Sequence, residues 1–327
     1  MIKRKIILEA TENEFEANGV LNPGCFREGD FIHMFYRAFN SSMNSSIGYA
    51  KLNNKNEVIE RYENSIIERE FDYERQGVED PRIIKIDDTF YIFYVVYDGK
   101  NALTAYATSP DLKKITKRGL IGPKMKYSEV KKIINAPEKY IEQADLYIKN
   151  IGEDVLFWSK DVLLFPEKIN GKFYMMIRVL PEIQIISFND FSDLTDEFWE
   201  STFKNLKDNI VIKNEAPFGE RHVGGGCPPI KTSKGWLIIF HSVDNKRVYH
   251  TSVALLDLNN PLKVIARLEE PLFSPTEEWE KEGVVSNVVF ATGASLFSDK
   301  LYIYYGAADK RIGVAEIEIN NLLSKLC

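Results

Sequence analysis

Apolar and polar residues alternate with a spacing of two along five stretches of the chain, each introduced by a polar turn. The stretches are GDFIHMFYRAFNSSMNSSIGYAKL, DDTFYIFYVVYDGKNALTAYATS, NGKFYMMIRVLPEIQIISF, SKGWLIIFHSVDNKRVYHTSVALL and SDKLYIYYGAADKRIGVAEIEI. That period places successive side chains on opposite faces of a strand, and aromatic and β-branched residues suit a pleated, half-buried surface. Each stretch therefore predicts two strands joined by a second turn. The turn positions Asp30, Asp88, Gly171, Gly235 and Asp299 fall 58, 83, 64 and 64 residues apart, so one supersecondary unit recurs. Strand-only units cannot bury their faces alone, and stacking each sheet on the next does so. The prediction is an all-β fold, a five-bladed β-propeller forming one catalytic domain over residues 1–327. At about 65 residues the units exceed the usual ~40–50 for small-bladed repeats, so long loops join them. A pair of β-sandwiches would also show short strands and turns, but gives no reason for five similar hairpins.

The longest gap breaks the period. Within SPDLKKITKRGLIGPKMKYSEVKKIINAPEKYIEQADLYIKNIGED, the runs YSEVKKIIN and PEKYIEQADLY carry helix formers at helical spacing, the second opened by a proline suited to a first turn. A helical insertion at about 110–150, between the second and third blades, follows. Its role, in shaping a pocket or a subunit contact, is open, and the sequence leaves room for a homo-oligomer.

Totals narrow the function classes. A hydrophobic content of 44% with 28% charged residues describes a soluble globular chain, and 48 acidic against 42 basic residues argue against a nucleic-acid footprint. No apolar run approaches the roughly 18 residues of a membrane span. The N-terminal MIKRKIILEATENEF offers only IIL as an apolar core, too short for a signal peptide. Cys25, Cys227 and Cys327 are too few and too scattered for a disulfide framework. These observations predict a cytoplasmic protein with reduced thiols. There is no P-loop, no GxGxxG opening a helix, no HExxH or CxxC and no GxSxG elbow. Four scattered histidines (His33, His222, His241, His250) argue against a zinc site, and no cofactor is indicated.

Candidate chemistry sits where charge meets β-structure. In QGVEDPRII, residues 76–84, Glu79, Asp80 and Arg82 flank Pro81 just ahead of an aromatic strand. Locally this is either a polar turn with an internal ion pair or a strand delivering acids to a site. Arg37, Arg178, His241 and Asp309 follow apolar runs at matching places in four different units. Channel-lining strands would bring them to one cavity, where buried charges must meet one another or a ligand. The glycine run in RHVGGGCPPI, residues 221–230, allows close backbone approach.

In order and across nearly the whole chain, GVEDPRI, KDVLLFPEKINGKFYMMIR, GGGCPPIKTSKGWLIIFH, VALLDLNNPLKVIAR and LYIYYGAADKRIGVAEI resemble glycoside hydrolase family 130. The resemblance implies a five-bladed propeller and an activity that is mostly inverting phosphorolysis of β-mannosides, with some hydrolases. It implies that Asp80 is the catalytic acid, passing its proton through a sugar hydroxyl. By the same resemblance Lys160, Arg178 and His241 hold phosphate, and Arg37, Glu79, Arg82, Asp161 and Asp309 contact sugar or organise the pocket. Two departures stand out. Ser46 of NSSIGYA stands where many phosphorylases have arginine, and FHS replaces the family's YHG.

The expected reaction is attack of inorganic phosphate on a β-1,2- or β-1,4-linked manno-oligosaccharide, or on mannosyl-glucose, to give mannose 1-phosphate. A phosphorylase needs one acid and a cationic cradle, because phosphate is already a nucleophile. An inverting hydrolase also needs a base, with Glu277, Glu278 or Glu280 of SPTEEWEKEG as candidates. A propeller that binds glycan without cleaving it is the remaining alternative. The acid role asks for a raised pKa at Asp80, through burial and Glu79 and against Arg82.

Overall fold

All five alternating stretches form antiparallel hairpins in the computed structural model, which describes residues 2–215 and 217–326. Each hairpin supplies the two middle strands of a larger sheet. The N-terminal strand β1 (Lys3–Leu8) precedes a first sheet of β2 (Gly19–Glu28), β3 (Phe31–Phe39), β4 (Ser45–Asn53) and β5 (Val58–Arg61). The second contains β6 (Gly77–Ile86), β7 (Thr89–Tyr97), β8 (Ala102–Ser109) and β9 (Thr116–Leu120), and one parallel bridge between Ser45 of β4 and Gly77 of β6 makes it continuous with the first. Helices α1 (Tyr127–Ile133) and α2 (Glu138–Ile151) follow. The third sheet has β10 (Leu163–Leu164), β11 (Phe173–Val179) and β12 (Glu182–Phe188). Helices α3 (Asp196–Lys204) and α4 (Leu206–Asn209) then precede its last strand, β13 (Ile210–Ile212). The fourth comprises β14 (His222–Gly225), β15 (Ile230–Thr232), β16 (Gly235–Val243), β17 (Tyr249–Leu256) and β18 (Val264–Arg267). After the short α5 (Glu278–Lys281), the fifth sheet has β19 (Val289–Phe297), β20 (Lys300–Ala307) and β21 (Arg311–Glu318), and α6 (Ile319–Leu326) ends the described chain.

The hairpins form where turn chemistry and strand pattern agree. Asn170 and Gly171, both at positive φ (52° and 79°), make the two-residue turn ahead of β11, and such a turn matches the twist of paired strands. Strands such as β16, GWLIIFHSV, are buried along their whole length, because both faces of the sheet are covered.

Five apolar clusters occupy the spaces between sheets. Phe35 and Tyr49 meet Ile92 and Tyr94 between the first and second, and Met176 and Ile185 meet Ile238 and Phe240 between the third and fourth. Leu237 and Val253 meet Ile303 and Tyr305 between the fourth and fifth, and Tyr302 and Ile312 meet Ile32 and Tyr36 between the fifth and first. Between the second and third sheets, Phe93 and Met175 pack with Tyr127, Val130 and Trp199. The helices therefore build this interface rather than capping a face.

The N-terminal strand completes the C-terminal sheet. β1 pairs antiparallel with β21, with Lys3 opposite Glu316. Arg4 seals the seam, its Nη1 lying 2.8 Å from an oxygen of fully buried Glu280, which also accepts from the Tyr305 hydroxyl at 2.7 Å.

The helical insertion is narrower than expected. Residues 116–120 are the fourth strand of the second sheet, and helix spans 127–133 and 138–151. No helix among the described residues is long and apolar enough to cross a membrane. Cys25 and Cys227 are free and buried; Cys327 lies outside the described residues.

Candidate active site

The strands that open successive sheets begin with a recurring backbone feature. Asn22, Asp80, Asp161 and Asn287, each at or just before the first strand of a different sheet, adopt left-handed φ of 46°, 52°, 55° and 60°. Asn and Asp tolerate this region because their short side chains bond locally. At Asp80 the turn coincides with a register shift between Glu79 and Arg82 in the β6–β7 pairing. A bulge of this kind re-aims side chains. It sends Asp80 to the same cavity as Asn22, whose Nδ2 donates to Asp80 Oδ1 at 2.8 Å.

That cavity has a volume of about 300 Å³ and is lined by Arg37, Asp80, Lys160, Asp161, Arg178, His241 and Asp309. Seven of the nine residues singled out from sequence thus share one hollow. Glu79 and Arg82 stand behind them. Glu79 Oε1 accepts from Arg37 Nη2 at 2.8 Å, and its Oε2 lies 3.8 Å from Lys160 Nζ. Arg82 donates from Nε to the Gly226 carbonyl at 2.7 Å, and its Nη2 lies 3.9 Å from Asp161 Oδ1.

The polar residues of the hairpins reach the cavity from a different place than expected. Arg37, Arg178 and His241 lie on β3, β11 and β16, the second strands of their sheets, and Asp309 lies in the turn after β20. In the third and fourth sheets they project past the first strand because it is cut short or stripped of side chains at this level. β10 is two residues long, and Gly224 of β14 sits opposite His241. A β-carbon at 224 would come within 2.3 Å of His241 Cε1 and 2.7 Å of Asp161 Oδ2, so only glycine leaves the imidazole its space.

Two poles can be distinguished. On the side of the third and fourth sheets, Arg178 Nη1 contacts Asp161 Oδ2 at 2.6 Å, and His241 stacks on Tyr249 with its edge against Phe290. Among the described residues, Arg178 Nε, Arg82 Nη2 and both His241 ring nitrogens are buried without a hydrogen-bond partner. Buried polar atoms left unpaired in this number, Asp161 Oδ2 and Asn22 Oδ1 among them, mark a place where a ligand completes the hydrogen bonding. Burial, with Arg178 and Arg82 nearby, holds His241 well below its usual pKa. On the side of the first and second sheets, Arg37 joins Glu79 and lies 3.7 Å from Asp80.

The direction at Asp80 is opposite to the one its acid role suggested. Burial raises its pKa, but Arg37, Arg82 and Lys160, together with the Asn22 hydrogen bond, outweigh burial and lower it. The raised carboxyl is Asp309. Burial comes first, then Asp80 and Glu79, against Arg37 and Lys160, and together they push it up to about 6 from 3.8. A carboxyl whose pKa is raised on folding binds a proton more readily when native. Its contribution to stability is therefore complete below pH ~4 and lost as pH rises through about 6, a difference on the order of 3 kcal/mol. Asp309→Asn is accordingly expected to melt a few degrees above the wild type at pH 8 and to lose that advantage below pH 4. Melting curves that shift equally at both values would show that Asp309 does not titrate in this window.

Several lining residues are not singled out by the sequence. Asn22 stands in LNPG as Asp80 stands in EDPR, so an Asn/Asp-Pro step at the head of a strand was the available signal. Tyr147 comes from α2, and Trp158, Tyr249 and Phe290 look like ordinary core aromatics in sequence. His222, in the glycine-run segment, also lines the cavity. Ser46 lies outside it, in a neighbouring groove. The three glutamates considered as bases are elsewhere. Glu280 is bound to Arg4 and Tyr305, Glu277 faces Arg4, and Glu278 is exposed beside Lys281. No cluster of metal-ligating side chains occurs among the described residues.

Comparison with known proteins identifies the family. Residues 7–326 match the model of glycoside hydrolase family 130, described as beta-1,4-mannooligosaccharide phosphorylase. A 1,2-beta-oligomannan phosphorylase of Thermoanaerobacter sp. (strain X514) is 33% identical over 331 residues, covering 98% of this chain and 96% of its own. A beta-1,2-mannobiose phosphorylase of the same organism is 35% identical, covering 96% and 95%. The beta-1,2-mannobiose phosphorylase of Listeria innocua, solved with beta-1,2-mannobiose, superposes with a TM-score of 0.75 at 23% identity over 99% of each chain, a likeness of fold. With its sequence matched from end to end and its architecture shared, the chain belongs to glycoside hydrolase family 130.

Proposed function

We propose that this protein is an inverting glycoside phosphorylase that cleaves β-mannosides with inorganic phosphate and releases mannose 1-phosphate. The observation that carries the reading is the two-pole cavity, with Asp80 on one side and unpartnered Arg178 and His241 nitrogens on the other. Phosphate at the second pole meets fixed donors and positive charge on side chains that are themselves buried, where such contacts count most. From there it attacks the anomeric carbon on the face opposite the leaving oxygen, while Asp80 supplies the proton. Lys160, which reaches Glu79, completes the cationic set. Arg37, Glu79, Arg82, Asp161 and Asp309 hold the sugar and orient these groups. Linkage to a β-1,2-bonded substrate is favoured by the relatives named above.

The same reading includes the fold. Five hairpin-centred sheets, four of four strands and one of five, with apolar clusters between each consecutive pair and between the fifth and the first, support a five-bladed propeller in one domain. A cytoplasmic address suits the reaction, because a phosphorylated sugar stays within the cell. The hydrolytic alternative loses support because Glu277, Glu278 and Glu280 are engaged away from the cavity.

The test is incubation with β-1,2- and β-1,4-mannobiose, with and without phosphate. Mannose 1-phosphate that forms only when phosphate is present is the expected product. Free mannose released at the same rate without phosphate would overturn the proposal.

A further inference from the structure

Lys160 is the least anchored cation of the catalytic cavity. Arg37 bonds Glu79 at 2.8 Å, Arg82 the Gly226 carbonyl at 2.7 Å and Arg178 Asp161 at 2.6 Å. Lys160 reaches Glu79 Oε2 at 3.8 Å, beyond hydrogen-bonding distance. It rises from a segment between α2 and β10 that belongs to no strand. An ammonium on a flexible four-carbon stem keeps many positions unless a surface holds it. The surface here is the indole of Trp158, whose ring centre lies 5.2 Å from Lys160 Nζ. Indole is the best of the aromatic faces for a cation at this range.

Trp158 is itself held from several sides. Its Nε1 donates to the Lys100 carbonyl at 3.1 Å, and its main-chain N–H donates to the Tyr127 hydroxyl at 3.2 Å. Its ring meets that of Tyr147 at 5.0 Å, nearly edge to face. Tyr147, on α2, stacks in turn on Tyr127 of α1, with centroids 4.5 Å apart and planes 13° apart. The start of α2 is fastened to the third sheet, where Lys139 and Tyr140 bond buried Glu182 at 2.5 and 2.6 Å. Both helices of the insertion thus converge on one indole, and Tyr147, Trp158 and Lys160 all line the cavity.

We propose that Trp158 is a positioning residue for phosphate binding, and that α1 and α2 hold its indole beneath Lys160 so that the ammonium stays turned to the cavity. The inference rests on the phosphorylase reading, with Lys160 in the cationic set. It gives the helical insertion a task in the reaction. The competing use of the same indole is stacking on a sugar ring. The two uses separate in kinetics: stacking is read in the KM for mannoside, whereas an indole acting through Lys160 is read in the KM for phosphate.

The experiment is a double-mutant cycle on the phosphate KM, with Trp158→Leu, Lys160→Met and the two combined. The substrate is whichever of β-1,2- and β-1,4-mannobiose the wild type turns over. Trp158→Leu is expected to raise the phosphate KM about tenfold, with the mannobiose KM held within about twofold. In the Lys160→Met background the same substitution should change the phosphate KM by less than about twofold, because the group it acts through is gone. A merely structural role would instead add to the Lys160 effect. Additive effects, a rise confined to the mannobiose KM, or a Lys160→Met variant with an unchanged phosphate KM each overturn this inference while phosphate-dependent turnover stands. A wild type without phosphate-dependent turnover overturns the functional reading together with it. Should Trp158→Leu fail to fold, Trp158→Phe keeps a smaller ring and loses the bond to Lys100. A phosphate KM raised roughly threefold at an unchanged mannobiose KM then supports the inference, and no change, or a rise in the mannobiose KM instead, overturns it.

Discussion

Asp80→Asn is expected to lower turnover by about 10²–10⁴-fold, the range that general acid catalysis contributes, while mannoside affinity stays within a few fold. The amide keeps the shape of the side chain and can still accept the Asn22 hydrogen bond, so the loss isolates the proton. The resting electrostatics sharpen this prediction. Arg37, Arg82 and Lys160 keep Asp80 ionised in the empty site, and an ionised carboxylate donates nothing. Phosphate carries between one and two negative charges near neutrality, and its arrival offsets the cations that lower the Asp80 pKa. The co-substrate thus charges its own acid. Proton uptake should accompany phosphate binding in the wild type, measurable by titration calorimetry in buffers of different ionisation enthalpy, and should shrink in Asp80→Asn. Wild-type turnover in that variant would remove Asp80 from the mechanism. The lowered pKa also means that Asp80 stabilises the fold at neutral pH, a contribution that fades as pH falls through its native value. The variant should therefore melt somewhat lower at pH 7.

Arg178→Ala is expected to raise the KM for phosphate by roughly 10–100-fold, the worth of one or two charge-assisted hydrogen bonds, and the KM for mannoside by far less. Saturating phosphate should recover much of kcat. The split separates anion binding from general damage, which matters because Arg178 also pairs with buried Asp161 at 2.6 Å. Its removal leaves Asp161 with Arg82 at 3.9 Å and His241 at 3.9 Å, so some loss of stability is built into the substitution. Arg178→Lys keeps the charge but not the planar fork, and should fall between alanine and wild type. A phosphate KM that does not move would place the anion elsewhere.

How much of the molecule is legible in its sequence depends on how local the determinants are. The five hairpins are legible because each carries its own turn and alternation within about 25 residues. The EDPR segment is legible because a proline and three charges beside a strand are conspicuous. The outer frame is not. β10 is two residues and β14 is HVGG, too short and too poor in side chains to show a period. The pairing of Lys3 with Glu316 has no local signature at all. Helices α3 and α4 are hidden between two strands of one sheet. The ionisation of Asp80 is obscured for a related reason. Neighbours in sequence suggest Glu79 against Arg82, whereas Arg37 arrives from the first sheet and Lys160 from the segment before β10, and together they tip the balance.

The pairing of β1 with β21 also shapes how the molecule comes apart. In an open array of repeats, terminal units fray and the middle persists, because each unit touches only its neighbours. Here β1 and β21, from the first and fifth repeats' sides of the chain, are woven into one sheet, with Arg4 and Glu280 as its clasp. Losing either terminus would strip the covering from two sheet interfaces at once. The fifth sheet is complete only once β21 has found β1, so opening that seam loosens the interfaces with the fourth and the first sheets together.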